Sequence, residues 1–400
     1  MDIVEILASG VSVVKGPPGG GKTILAAWAA SRFPQAAWFT HYETEDRLRR
    51  YLTSVGIQPP AYIFDIASVG DSKALIQLIV DRVLSVKPDF LVIDGVNTIA
   101  REDERGLIHA LFYHGISRDT PVVLIKEGLD VTPADYIADN IIEVHNKIYK
   151  SGASHRYIKL VKTRGRHIPN YVLPYIITNE GPVIVPPRRE PQVLSTELIP
   201  TEVIDNALGG GILKGSHVVV VGPEGGLASK VAISIAAKLA RRGHKVFYHY
   251  HKAHFTPIKY AERLGTAGLP EVTWRYHPAV DHKNLEWHYA TAKYISQGGF
   301  DIFLGDQYEL VATTVPPKSL VEGLKLFDAA LERPVTKFYI YNSPQIWRKI
   351  SPMFAAVADY IFYLKPDRVK IHAPHLDRPV EFSINWEKAL GGGSDALIGK

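Results

Sequence analysis

From residue 11 the chain alternates short, almost wholly apolar runs with amphipathic or helix-compatible stretches. The runs are VSVVKG (11–16), AAWFTHYE (36–43), AYIFDIA (61–67), DFLVIDGV (89–96) and PVVLIKEG (121–128), and the stretches between them fall near 24–30, 45–55, 72–86 and 104–115. Continuous apolar runs belong to strands buried on both faces, and strands that take turns with helices predict an α/β fold with a mostly parallel, helix-covered sheet. Beyond residue 140 the pattern changes. NIIEVHN (140–146), RYIKLVKTRG (156–165) and YVLPYIITNEGPVIV (171–185) alternate more and have no helix between them, which predicts an antiparallel extension at one edge.

The pattern then runs a second time. VVVVGPEGG (218–226) echoes VSVVKGPPGG, FYHYHK (247–252) echoes FTHYET (39–44), FDIFLGD (300–306) echoes DFLVID (89–94), and ADYIFYL (358–364) echoes ADNIIEV (138–144). All four pairs keep their order, 206 to 220 residues apart, so the chain reads as one α/β domain duplicated. The Pro- and charge-rich VPPRREPQ (185–192) has no periodicity and reads as the connection. The expected division is a first domain over 1–187, a linker over 188–193, a second domain over 194–390 and a flexible tail over 391–400.

The first repeat carries chemistry at its first turn. GPPGGGKT, Gly16 to Thr23, fits G-x-x-x-x-G-K-[ST] and stands where a strand hands over to a helix. Glycines at Gly16, Gly19, Gly20 and Gly21 let successive backbone N–H groups turn toward phosphates. Lys22 would reach the β and γ oxygens of ATP, and Thr23 would offer its hydroxyl to Mg²⁺. Asp94 ends the apolar run Phe90 to Ile93, the place of the acid that orders a Mg²⁺ shell. Gly95 follows it, so a base has to come from elsewhere. Glu43, at the end of the run after the phosphate-loop helix, is the candidate to orient water, and a surface glutamate at a helix start is its alternative. Glu127, at the tip of PVVLIKEG, is placed either to sense a γ-phosphate or as a solvated loop acid.

Composition narrows the setting. The 400 residues suit two ordinary domains, and 46% hydrophobic with 22% charged residues suits globular ones. The net charge of +5 permits contact with an anionic polymer without marking the chain as nucleic-acid binding. No cysteine occurs, which excludes disulfides and thiolate metal sites. No leader-like segment or membrane-length apolar run is present, so a cytoplasmic location is expected.

The phosphate loop, the Tyr-Glu-Thr after the second run, the Asp-terminated strand without a following Glu, and Lys-x-Arg-Gly ahead of IITNEGPVIV together resemble the RecA superfamily, and within it the KaiC family of tandem ATPases. The resemblance implies two tandem RecA-like domains, ATP and Mg²⁺ as ligands, and homo-oligomeric, hexameric rings that bind ATP between subunits. It also implies that Lys162 and Arg164 reach a neighbour's γ-phosphate, with His167 near them. Autokinase members carry adjacent Ser and Thr before the Asp-led strand of the second domain. Ala355 and Ala356 stand at about that place here, which removes that chemistry.

The second repeat departs from the pattern. Its loop reads GPEGGLAS, with Leu227 for Gly21 and Ala228 for Lys22, while Ser229 keeps the hydroxyl and Asp306 keeps the acid. Lys230 lies one helical step off and makes a poor substitute. His251 aligns with Glu43, and Ala373 with about His375 fall where Lys162 and Arg164 were. The expectation is a pseudo-ATPase domain serving assembly or a protein or nucleic-acid partner. Alternatives are a RecA-like DNA-binding paralogue using ATP as an assembly switch, or a nucleotide sensor that does not hydrolyse. His249, His251 and His254 could approach a metal, but with no adjacent acid or Cys they read as a polar strand end filling a vacated pocket. Trp274 to His277 fits either stacking on a single strand or half-buried packing.

Overall fold

The computed structural model describes residues 3–67, 71–96, 104–150, 152, 154–165, 172–178, 181–185, 196–201, 203–205, 208–252, 257–263, 269–354, 357–374, 376–391 and 397–398. Two compact units divide the chain: Met1–Tyr149 with Ser154–Pro187, and Lys150–Ala153 with Arg188–Lys400. The linker expected over 188–193 lies outside the described residues.

In the first unit the strands are β1 (Val11–Gly16), β2 (Ala36–Thr40), β3 (Tyr62–Asp65), β4 (Phe90–Asp94), β5 (Val122–Glu127), β6 (Asn140–Ile148), β7 (Ser154–Thr163), β8 (Val172–Thr178) and β9 (Gly181–Ile184). They form one sheet in the order β3-β2-β4-β5-β1-β6-β7-β8-β9. From β3 to β6 neighbours run parallel, and from β6 to β9 they run antiparallel. This is the division the sequence pattern predicts.

Alternation within the buried strands builds two cores. Val14, Trp38, Val92 and Ile125 pack with the helices Ile3–Leu7 and Lys22–Ala30 on one face. Val13, Phe39, Ile93 and Leu124 pack with Ser72–Val86 and Glu104–Tyr113 on the other. Each such aliphatic side chain contributes about 1.5–3 kcal/mol on burial. The helices start where short polar caps allow: Thr44 and Asp71 accept the N–H groups of Arg47 and Ala74 at 3.4 and 2.8 Å.

In the second unit a short pair, β10 (Leu198–Ile199) and β11 (Ile212–Leu213), precedes β12 (His217–Val221), β13 (Val246–Tyr250), β14 (Val272–Tyr276), β15 (Ile302–Asp306), β16 (Thr336–Tyr341), β17 (Tyr360–Leu364), β18 (Arg368–His372), β19 (Val380–Ile384) and β20 (Leu397–Ile398). The sheet order, β14-β13-β15-β16-β12-β17-β18-β19-β20, repeats the first sheet position for position. The two units also share a detail of their central strands. Asp139 Oδ2 accepts the N–H of Val11 at 3.0 Å, and Asp359 Oδ2 accepts that of His217 at 2.8 Å. These are two tandem α/β sheets of one strand order, each mostly parallel. Within the supposed flexible tail, Leu397 and Ile398 pair with Ile384 and Ser383, because the free edge of β19 offers hydrogen-bonding groups that an apolar dipeptide can cover.

Candidate phosphate site of the first unit

Register brings four strand ends to one edge. Thr40 lies beside Asp94, Asp94 beside Ile125, and Gly16 beside Glu127, so the residues singled out in three separate runs converge where β1 gives way to the helix Lys22–Ala30. Between them the loop turns through glycines in the left-handed region, Gly19 at φ 74° and Gly21 at φ 97°. At Gly21 a side chain is also excluded by space, since a Cβ there would lie 2.8 Å from Tyr175 Cε1 of β8. The hydroxyl of Tyr175 donates to the Gly21 carbonyl at 2.8 Å.

Lys22 is buried. Its Nζ donates to the carbonyls of Gly16 (3.0 Å) and Pro17 (2.9 Å) and pairs with Glu127 Oε2 at 3.0 Å. Asp94 is buried beside it, and its carboxyl is pushed up to about 7, first by desolvation and then by the charge of Glu127, with Glu43 adding and Lys22 and the Gly95 N–H opposing. Thr40 Oγ1 holds the Glu43 N–H at 3.3 Å, and among the described residues the buried Oε2 of Glu43 has no hydrogen-bond partner. The charge of Glu43 also helps to raise the Tyr51 phenol, after desolvation, against Arg156. Glu127 therefore pairs with the Lys22 ammonium, and Asp94 feels the charges of Glu127, Lys22 and Glu43 together.

That arrangement fits Mg²⁺. The oxygens that would hold it are hard donors, the buried Asp94 carboxyl, raised first by desolvation and then by its acidic neighbours, and the hydroxyl of the half-buried Thr23 in the first turn of the helix. A divalent cation would favour the charged form of Asp94 against the burial and the acidic neighbours that raise it.

Lys162 and Arg164 are not brought to this edge. Lys162 Nζ donates to the carbonyls of Asp135 (3.3 Å) and Tyr136 (3.2 Å). Arg164, two-thirds exposed, pairs with Asp139 Oδ1 at 2.8 Å, and Asp139 caps Val11 at the start of β1. The phosphate loop begins at the far end of that strand, about 17 Å away at ~3.3 Å per residue. His167 lies outside the described residues.

One group of residues escaped the sequence reading. Lys15 and Lys126, neighbours in register on β1 and β5, are both buried and share one carboxylate: Asp135 Oδ1 is 2.8 Å from Lys15 Nζ and Asp135 Oδ2 is 2.6 Å from Lys126 Nζ. Lys126 also bonds Thr132, whose hydroxyl donates to Glu104 at 2.6 Å. The signal was present, because a lysine inside each of two buried strands demands an anion. The network braces the strand tips immediately before Gly16 and Glu127.

In the second unit the equivalent edge is closed by its own side chains. The residue at φ near +90° moves back one place to Gly226 (83°), because Leu227 joins the helix Leu227–Arg241. Ser229 Oγ donates to Asp306 Oδ1 at 2.7 Å and Tyr248 OH to Asp306 Oδ2 at 2.8 Å. Asn342, continuing β16 where Glu127 ends β5, bonds Ser229 Oγ at 2.8 Å. Both members of the Lys22–Glu127 pair are thus replaced together, by Ala228 and Asn342. Lys230 is exposed and its ammonium lies over the Tyr260 ring at 5.8 Å.

Register corrects two alignments. Thr40 pairs with Asp94 and Tyr250 with Asp306, so His251 stands level with His41, not with Glu43. His372 pairs with Ile361 as Lys162 does with Ile141, so His372 rather than Ala373 is the counterpart of Lys162. Short sequence echoes cannot locate a register to the residue. His254, Ala355, Ala356 and His375 lie outside the described residues.

Residues 38–189 match the family model for the KaiC ATPase. The match begins inside β2 and extends past β9, so it spans Glu43, Asp94, Glu127, Lys162 and Arg164 but neither the loop Gly16 to Thr23 nor the second sheet. No curated protein matches the chain.

Proposed function

We propose, from the premise that the first unit is a KaiC-like domain of the RecA superfamily, that it binds ATP on the loop Gly16 to Thr23 and hydrolyses it. The observation that carries this reading is the pairing of Lys22 with Glu127 at the strand edge where Asp94 feels the charges of Lys22, Glu127 and Glu43. When ATP binds, the Lys22 ammonium exchanges its loop carbonyls and Glu127 for β and γ oxygens, while loop N–H groups take the remaining phosphate oxygens. Thr23 and Asp94 would hold Mg²⁺, which when bound offsets charge on the phosphates. Glu43 orients a water in line with the γ-phosphorus and takes its proton as the P–O bond to ADP breaks. Glu43→Gln should lower kcat by roughly 10²–10⁴-fold with nucleotide binding retained, read by single-turnover hydrolysis beside binding of a fluorescent ATP analogue. Unchanged turnover would remove Glu43 from the reaction.

The remaining cations support completion of the site by a second chain. Arg164 is held at the opposite end of β1 from its own loop, so the nucleotide it could reach belongs to a neighbour in a ring, approached together with Lys162. Arg164→Ala should lower turnover by about 10³-fold or more while each chain still binds ATP. Mass measurement with and without Mg-ATP should show assembly, and a monomer that hydrolyses at full rate would overturn the trans role. For the second unit, the joint loss of lysine and glutamate and the internal bonding of Ser229 and Asp306 support a pseudo-ATPase that serves assembly or a partner.

A further inference from the structure

The second unit contains a cluster that the ATPase reading does not use. His249, the penultimate residue of β13, His251, the first residue after it, and His282, in the short 3₁₀ turn Ala279–Lys283, are all buried. One ring nitrogen of each lies within 4.8 Å of the others. His251 Nδ1 is 3.0 Å from the His277 carbonyl, which places its proton on Nδ1 and leaves the Nε2 lone pair free. Among the described residues, Nε2 of His251 and both ring nitrogens of His249 and of His282 have no hydrogen-bond partner. Five orphaned nitrogens in one buried cluster are a cost that packing alone would avoid by using apolar rings.

We propose that His249, His251 and His282 form a zinc site in the second unit. Three imidazoles with an open fourth position are a recurrent Zn²⁺ donor set, and the ion's preference for nitrogen over hard oxygen separates this site from the Mg²⁺ region of the first unit. At Zn–N distances of about 2.0–2.1 Å the nitrogens of a tetrahedral site stand roughly 3.4 Å apart, so modest ring rotations close the cluster. The surroundings suit a fixed site. Trp287 packs on His282 with ring centroids 4.0 Å apart and on His249 at 5.2 Å, while Tyr308 lies 5.4 Å from both His251 and His282. His277 and His288 are engaged otherwise: Trp287 Nε1 donates to His277 Nδ1 at 3.4 Å, and His288 Nε2 meets the His282 carbonyl at 3.2 Å.

The test uses the full, untagged chain stripped with a chelator and titrated with Zn²⁺ alone against a chromophoric competitor. One tightly held equivalent per chain is expected, with a raised thermal midpoint, and Co²⁺ in its place should give the visible bands of a low-coordinate nitrogen site. His282→Gln should weaken zinc binding by at least about 10²-fold, more than the loss of a supporting residue. His249→Phe, which fills the space with an apolar ring, should abolish it with the circular dichroism spectrum unchanged. Failure of the unaltered chain to take up one equivalent would overturn the site, as would undiminished binding in either folded variant.

Discussion

Lys22→Ala is expected to reduce ATP turnover by about 10³-fold or more, because the substitution removes the ammonium that the loop's own chain presents to the β and γ phosphates in the proposed site. The variant should still fold. Lys22 lies at the start of its helix, where Ala is well tolerated, and the sheet edge beneath is held by strand pairing and by Tyr175 on Gly21. Affinity for a fluorescent ATP analogue should fall together with turnover, since the lysine contacts both the bound nucleotide and the transition state. Hydrolysis at the unaltered rate would show that the loop is not where ATP reacts.

Asp135→Asn is expected to cost about 3–5 kcal/mol, the largest stability effect in the first unit, because Lys15 and Lys126 would be left buried with their shared anion gone. Denaturant unfolding at neutral pH measures it. Desolvation alone would raise the Asp135 carboxyl, but hydrogen bonds from Lys126 and Lys15 and from the Thr132 N–H hold it below the usual carboxylate range. A depressed pKa stabilises the fold above the unfolded-state value near 3.9 and loses that contribution as the pH falls through the folded-state value, so the gap between the two proteins should close below about pH 4. Replacing all three groups by apolar residues of similar size should recover much of the loss, which would separate burial of charge from loss of shape. A variant as stable as the unaltered chain would mean that the lysines find another anion.

Local pattern carried much of this molecule. Strand runs, their parallel and antiparallel division and the duplicated order follow from apolar periodicity, Gly16, Asp94 and Glu127 were candidates because each sits at a run's end, and Lys22 because of the glycine-rich motif before it. Pairing across the sheet was not legible. The sharing of Asp135 by Lys15 and Lys126 depends on strands more than a hundred residues apart lying side by side. The third histidine of the buried cluster, His282, comes from a turn thirty-one residues after His251, and no spacing along the chain announces it. The two-residue error at His251 and the one-residue error at His372 have the same origin, since alignment by resemblance counts letters whereas the sheet counts hydrogen bonds.

The duplicated sheet order supplies an internal control within a single polypeptide. Where the second copy keeps a residue after losing the lysine, folding alone is sufficient reason for that residue. Asp359 still caps its central strand as Asp139 does, and Asp306 still ties Ser229, Tyr248 and the Gln307 N–H together at a strand end. Under the proposed function the carboxylate at Asp94 therefore answers to two demands, architecture and phosphate chemistry, whereas Lys22 and Glu127, which the second copy replaces, answer mainly to the second. Substitutions at Asp94 will confound the two, and the cleaner probes of reactivity are the positions at which the copies disagree.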